Sequence, residues 1–378
     1  MSGYTMRTRR VAASERITGW LVTHSLHVIG SQNLGGAERF YLRLLPALAA
    51  AGEHVHACHS PHSDLAHDLP AAIKRTPVAM RGVWDIASRW RIRRLVRELD
   101  VDIVQTYIGR ATRLTRLPLG PRPVHIARLG GYYNLKGYRH AHAWIGNTRG
   151  LCDYLLAQGV PSDRVFHIGN FVEPAEPADA ARIGELRRTH AVPADALLLL
   201  AVGRLHPVKG LDDLLSAFAR LPDTLHGRPL ILAIVGDGPL RVKLTEQSVQ
   251  LGLAERVIHT GWEREPAPWY DMADLVVVPS REETLGNVIL EAWAHQRAVL
   301  STTTPGGREL IDDGDNGVLT PIGDIEQLSA KLSELLLDDA ARTQLAASGG
   351  NTLRANFSES AIVSGYQDLY RTLLANVY

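Results

Sequence analysis

Short, largely apolar runs recur along this chain, and a helical periodicity separates each from the next. Residues 26–29 form such a run, followed by a helix near 37–51 and a second run at 54–58. Further runs stand at 101–105, 124–127, 143–146 and 165–168, and then at 197–202, 232–235, 257–260 and 273–279. The runs at 197–202 and 273–279 show no polar alternation, as in strands of a parallel sheet covered on both faces. Strand, helix, strand repeated in this way predicts an α/β fold of doubly wound parallel sheets. Ligands of such sheets sit at the carboxyl ends of the strands, so the loops leaving each strand are where chemistry is expected.

The length of 378 residues is enough for two domains, and 45% hydrophobic with 21% charged residues is the composition of a soluble globular protein. No apolar run approaches the roughly 20 residues that a membrane-spanning helix needs. The first ten residues carry Arg7, Arg9 and Arg10 but lead into no apolar signal core, and the chain before about Ile17 reads as a loose tail. Cys58 and Cys152 are the two cysteines, too few for a disulfide framework or a metal quartet, which fits a reducing, cytoplasmic setting. Residues 1–170 hold 23 Lys and Arg against 11 Asp and Glu, a net of +12; residues 171–378 hold 18 against 29, a net of −11. A basic first half points to an anionic partner, either a membrane surface or a phosphorylated acceptor. Nucleic acid is not expected, because no zinc spacing, helix-turn-helix pattern or aromatic-interleaved basic run accompanies the charge.

The strand exits hold the candidate residues. Gly35 and Gly36 follow the first strand and open a helix, a phosphate-compatible arrangement, although the spacing is not Gly-x-Gly-x-x-Gly. Gly203-Arg204-Leu205 and Lys209-Gly210 follow the strand at 197–202, where a guanidinium fork and a compact ammonium can grip phosphate oxygens. Residues 236–240 form the next Gly-rich exit, with Asp237, and Trp262 follows the strand at 257–260, placed to border a nucleotide base or simply to pack. The run from Ser280 to Ala292 sets Glu283 on a loop, Gly286 and Asn287 about where a helix begins, and Glu291 inside that helix. Free N–H groups at Gly286 and Asn287 favour a phosphate, and the two oxygens of Glu291 suit a vicinal diol such as a ribose. In the first half, Arg128 leaves a strand before two glycines, Tyr132 and Tyr133, a loop suited to a sugar or acceptor. Residues 81–99 form a basic helix with Trp84 and Trp90, which reads chiefly as packed through Ile92, Leu95 and Val96 and can otherwise lie on anionic lipid. Arg110, Arg113 and Arg116, at i, i+3 and i+6, are the better candidates for membrane or acceptor contact. The histidines His24, His27, His54, His56, His59, His62 and His67 lack a close carboxylate partner, and no metal site is expected.

Glu-x-x-Gly-x-x-x-x-Glu-Ala from Glu283 to Ala292, Gly-Gly-Ala-Glu-Arg at 35–39, and Gly-Arg-Leu with Lys-Gly at 203–210 resemble the retaining nucleotide-sugar glycosyltransferases of family 4. The resemblance runs from about Leu26 to Tyr378 and is densest in the second half. It implies the GT-B fold, two Rossmann-like domains facing across a cleft. The boundaries are an acceptor-binding domain at 17–171, a linker at 172–194, a nucleotide-sugar domain at 195–355, and a closing helix at 356–378 returning to the first domain. It implies retention of configuration, no metal and no cofactor, with a nucleotide-diphosphate sugar, UDP or GDP, as co-substrate. Arg204 and Lys209 then neutralise the departing diphosphate, Gly286 and Asn287 assist through backbone, Glu291 holds the ribose, Glu283 holds the sugar, and Gly35 and Gly36 close over the donor. Many members carry a histidine near the position of Arg128, so the acceptor side departs from the pattern. Thirty-six arginines against five lysines fit a bacterial chain. The expected acceptor is a cell-surface or lipid-linked glycan such as lipopolysaccharide core, with the enzyme cytoplasmic or peripheral on the inner membrane face. The other classes that fit are a sugar-nucleotide epimerase, a phosphorylase using a pyridoxal phosphate lysine, and a catalytically silent sugar-binding protein.

Overall fold

A computed structural model describes residues 16–17, 20–31, 35–61, 63, 65–117, 122–172 and 174–375. The arginines of the amino-terminal tail (Arg7, Arg9 and Arg10), loop residues 32–34, His62 and Glu173 lie outside these. Two seven-stranded sheets carry the fold. The first takes β1 (His24–Ile29), β2 (His54–His59), β3 (Lys74–Pro77), β4 (Ile103–Tyr107), β5 (Val124–Leu129), β6 (Ala143–Gly146) and β7 (Val165–His167) in the order β3-β2-β1-β4-β5-β6-β7. The second takes β8 (Leu197–Val202), β9 (Arg228–Val235), β10 (Val257–Gly261), β11 (Leu275–Val278), β12 (Val299–Thr302) and β13 (Val318–Thr320) in the order β10-β9-β8-β11-β12-β13. A two-residue strand, Thr224–Leu225, joins β9 antiparallel. In both sheets the order reverses beside the first strand, which places switch points between β1 and β4 and between β8 and β11.

By compactness the chain divides into one unit of residues 1–127, 136–143 and 368–378 and another of 128–135 and 144–367. In the second unit the period of two along each strand sends alternate residues to opposite faces. Leu197, Leu199 and Ala201 of β8, with Leu232 and Ile234 of β9 and Leu275 and Val277 of β11, enter one core. Leu198 and Leu200, with Ile231, Ala233, Val276 and Val278, enter the other. This is why the strands read as unbroken apolar runs: neither face meets water. The stretch read as a linker contains the helix Ala180–Thr189, whose Leu186 is buried in the second of these cores.

In the first unit α1 (Gly36–Ala50), α2 (Ile86–Leu99) and α3 (Ile108–Leu114) follow β1, β3 and β4. Asp85 starts α2 by accepting from the Ser88 N–H at 3.0 Å. Ile92, Leu95 and Val96 of α2 pack with Leu26, Val28 and Val104 of the sheet. A buried polar chain threads this unit. His27 Nδ1 lies 2.8 Å from the Tyr107 hydroxyl, Gln105 donates to that hydroxyl at 2.7 Å, and Tyr370 donates to Gln105 Oε1 at 3.0 Å. Tyr370 belongs to the helix Glu359–Ala375.

Burial lowers the pKa of His27 from 6.5 to about 3. Below pH 6.5 the unfolded chain takes up a proton there that the folded chain refuses until about pH 3. The stability tied to this ring is therefore full above pH 6.5 and is lost at about 1.4 kcal/mol per pH unit as acid is added. His125, also buried and also lowered, adds to the same loss. A series of melting curves from neutral pH downward should show this slope, and His27→Gln should flatten part of it; an unchanged slope in the variant would overturn the assignment.

Candidate active site

The loops that leave β8 and β11 meet at the switch point of the second sheet, where Leu199 and Leu200 pair with Leu275 and Val276. They are fastened to each other. The N–H groups of Arg281 and Glu282 donate to the Val208 carbonyl at 2.8 and 3.1 Å. The Arg281 guanidinium grips Asp212 at 2.9 and 3.0 Å and Asp213 at 2.7 Å, at the start of the helix Leu211–Phe218. Gly210, at φ 61°, has its α-carbon so close to the Pro279 carbonyl that a β-carbon would lie 2.1 Å from the oxygen. The result is that Lys209 from one loop and Glu283 from the other form an ion pair, both side chains partly open to solvent. Ser280 Oγ stands 3.5 Å from the same carboxylate oxygen.

The helix after this loop, Asn287–Ala294, is opened by Gly286 at φ 87°. Only glycine takes that conformation without strain. The Glu283 carbonyl is held by the Gly306 N–H at 2.8 Å. Asn287 Oδ1 accepts from Asn170 Nδ2 at 2.6 Å. One turn on, Glu291 Oε2 accepts from the Tyr270 hydroxyl at 3.1 Å, and the Tyr270 ring stacks on His295. Thus both glutamates singled out in the sequence are fixed by partners that the spacing did not reveal.

Gly203 leaves β8 at φ 151° and its N–H donates to the Val235 carbonyl at 2.9 Å, so the exits of β8 and β9 lie together. Arg204 is exposed on this loop. Asp237 is committed to the neighbouring turn, accepting from the Gly238 N–H at 2.7 Å and from Arg241 at 3.1 Å. Trp262, after β10, is 57% exposed, so simple packing does not account for it.

The residues expected on the acceptor side are placed differently. Arg128 is buried, and its guanidinium donates to the Tyr366 hydroxyl at 3.0 Å and to Asn170 Oδ1 at 2.5 Å, so it holds internal groups in place of an open acceptor contact. Arg110 donates to the carbonyls of Gly30 and Met80 at 3.1 and 3.3 Å, tying strand exits of the first unit together. Arg113 packs its stem against Gly137. Helix α3 stops at Leu114, so Arg116 does not share its face and the expected triple stripe is not formed. Tyr132 is exposed and sets its ring edge-on to Tyr154. Gly35 and Gly36 begin α1 as expected, and the Gly35 N–H is taken by the Glu38 carboxylate at 2.9 Å.

Sequence reading missed Asn170, Tyr270 and the pairing of Arg281 with Asp212 and Asp213. The last of these links residues 69 apart, and nothing local marks it. Among the described residues no three His, Cys, Asp or Glu side chains gather as metal ligands.

Comparison with known proteins fits this geometry. The family described as Glycosyl transferases group 1 matches residues 196–338, and Glycosyltransferase Family 4 matches residues 34–176. The lipopolysaccharide core biosynthesis glycosyltransferase LpsE of Rhizobium meliloti (strain 1021) is 31% identical over 340 residues, 89% of this chain and 95% of that protein. LpsD of the same strain is 30% identical over 339 residues, with the same coverage. The crystal structure of Anabaena Alr3699/HepE in complex with UDP and glucose superposes with a TM-score of 0.80, covering 93% of this chain and 100% of that one; at 18% identity this speaks to the fold alone. Fold and site define a sugar-transferring enzyme of GT-B architecture. The chain belongs to the group 1, family 4 glycosyltransferases.

Proposed function

We propose that the protein transfers a hexose from a nucleotide-diphosphate sugar, UDP- or GDP-linked, to a hydroxyl of a cell-surface or lipid-linked glycan, with retention of configuration and without a metal. The observation that carries this reading is the ion pair of Lys209 and Glu283 at the switch point of the second sheet. Before the donor arrives, the ammonium is held by the carboxylate. A diphosphate competes for that ammonium, and Glu283 is then available to accept from hydroxyls of the donor sugar. Lys209 and Arg204, with the amino end of the helix Asn287–Ala294, meet the negative charge that grows on the leaving phosphate. Glu291, steadied by Tyr270, accepts from the ribose diol, and Trp262 borders the base. The acceptor attacks from the face the phosphate leaves, and the phosphate takes the acceptor proton. LpsE and LpsD are named for lipopolysaccharide core biosynthesis, which favours a core-type glycan as the acceptor. No helix of the described residues is long and apolar enough to cross a membrane. The basic first half favours a cytoplasmic enzyme that works peripherally on the inner face of the membrane.

A thermal-shift panel of UDP, GDP, ADP and CMP tests the donor side. A nucleotide at 100 times its dissociation constant adds about 2.7 kcal/mol of stability. One uridine or guanosine nucleotide should raise the melting temperature of the wild type, Glu291→Ala should lose most of that rise, and Tyr270→Phe a smaller part. A full rise in Glu291→Ala would remove the ribose role.

A further inference from the structure

The segment before and along α2 carries an exposed face of two kinds. Trp84 is 85% exposed, Ile86 76% and Trp90 59%, three large apolar groups turned to water within seven residues. Ile86, Trp90, Arg93 and Arg97 stand at i, i+4, i+7 and i+11, one stripe of the helix, on which the apolar pair is followed by two exposed arginines, Arg93 also donating through Nε to the Arg116 carbonyl at 2.5 Å. Residues 81–100 hold six arginines against three acids. The opposite face of the helix is fixed by the buried Ile92, Leu95 and Val96, so these groups are displayed on a rigid support. Beyond Trp90 the stripe borders a cleft of about 550 Å³, lined by Trp90, Arg93, Arg97 and Arg122 together with Asp100 and Asp102. Arg122 is paired there with Asp102 at 2.7 Å.

We propose that this face of α2 seats the protein on an anionic phospholipid bilayer. Trp84, Ile86 and Trp90 enter the headgroup boundary, and Arg93 and Arg97 meet lipid phosphates at the mouth of the cleft. The arrangement matches the layering of a bilayer surface, where indole rings and aliphatic groups favour the boundary and guanidinium groups the phosphate plane. A water-exposed helix gains nothing from two indoles, and a polyanion such as nucleic acid gives the isoleucine no partner. The proposal rests on the peripheral-membrane part of the function proposed above and assigns it to these exposed residues in place of Arg110, Arg113 and Arg116, of which the first two are half-buried and engaged internally.

The test is flotation of the full chain with phosphatidylcholine vesicles, with and without phosphatidylglycerol, some carrying brominated acyl chains. The wild type should float with the anionic vesicles, and bromine should quench its tryptophan emission. Arg93→Gln with Arg97→Gln should weaken binding roughly thirtyfold, the loss expected for two surface arginines. Trp84→Ser with Trp90→Ser should abolish the quenching and the binding that survives high salt. Both variants should keep the nucleotide-induced thermal shift, which separates lost docking from lost folding. If the wild type floats and both variants float equally well, the α2 assignment falls while the peripheral reading stands. If the wild type does not float, the membrane part of both falls and the transfer reaction is untouched. Equal retention on heparin without quenching by bromine would show charge attraction alone and would overturn the proposal.

Discussion

Lys209→Ala should lower kcat by about 10²–10³-fold while the protein stays folded. The reason lies in where charge appears. Cleaving a sugar–phosphate bond leaves negative charge on the diphosphate, and a fixed ammonium beside it contributes more in the transition state than in the bound donor. The same ammonium is the partner of Glu283 before the donor binds, so the substitution also leaves a carboxylate without its cation. Both side chains keep some contact with solvent, and the cost to stability should stay near 1 kcal/mol. Nucleotide release measured with acceptor present, beside a melting curve, separates the two effects. A turnover within a few-fold of wild type would sink the phosphate-clamp role. A collapse of the melting temperature would instead make the pair a structural one.

Gly210→Ala should be the most damaging of the small substitutions. Two costs combine at this position. The left-handed backbone at φ 61° alone disfavours alanine by roughly 1–2 kcal/mol. The added β-carbon would then lie 2.1 Å from the Pro279 oxygen, so the β8 and β11 loops must part, for about another 1–3 kcal/mol of packing strain. Gly314 supplies the control, since it has φ 84° but nothing within 4 Å of its would-be β-carbon, and Gly314→Ala should incur the first cost only. Melting curves of the two variants decide the matter. Gly210→Ala should also lose nucleotide-induced stabilisation, because parted loops no longer hold Lys209 and Glu283 together. Equal melting temperatures in the two variants would refute the close approach.

The strands and their Gly-rich exits were legible because both follow from local rules. An unbroken apolar run such as residues 197–202 has one stable home, a sheet covered on both faces, and the glycines at 203, 210 and 286 mark backbone that glycine adopts at the least cost. Glu283 and Glu291 were singled out for a different reason, their resemblance to a known pattern. The partners of charged groups were not legible. Lys209 and Glu283 are 74 residues apart, and what joins them is the adjacency of β8 and β11 in the sheet. Arg128 and Arg110 looked like surface charges because a guanidinium reads the same in sequence whether it faces solvent or internal carbonyls. The stripe of Arg110, Arg113 and Arg116 failed on a single boundary, the end of α3 at Leu114.

The bond from Tyr370 to Gln105 has a consequence for how the chain is made. Gln105 lies in the middle strand of the first sheet, and the residue that completes its hydrogen bonding is 265 positions later. On the ribosome the first sheet emerges early, yet the partner of its central amide follows 265 residues behind it. Domains at the start of a chain ordinarily settle while the rest is still being made. Here the first-made sheet keeps a polar opening in its interior until Tyr370 has been made, so the amino-terminal half is finished only after the whole second sheet has been translated.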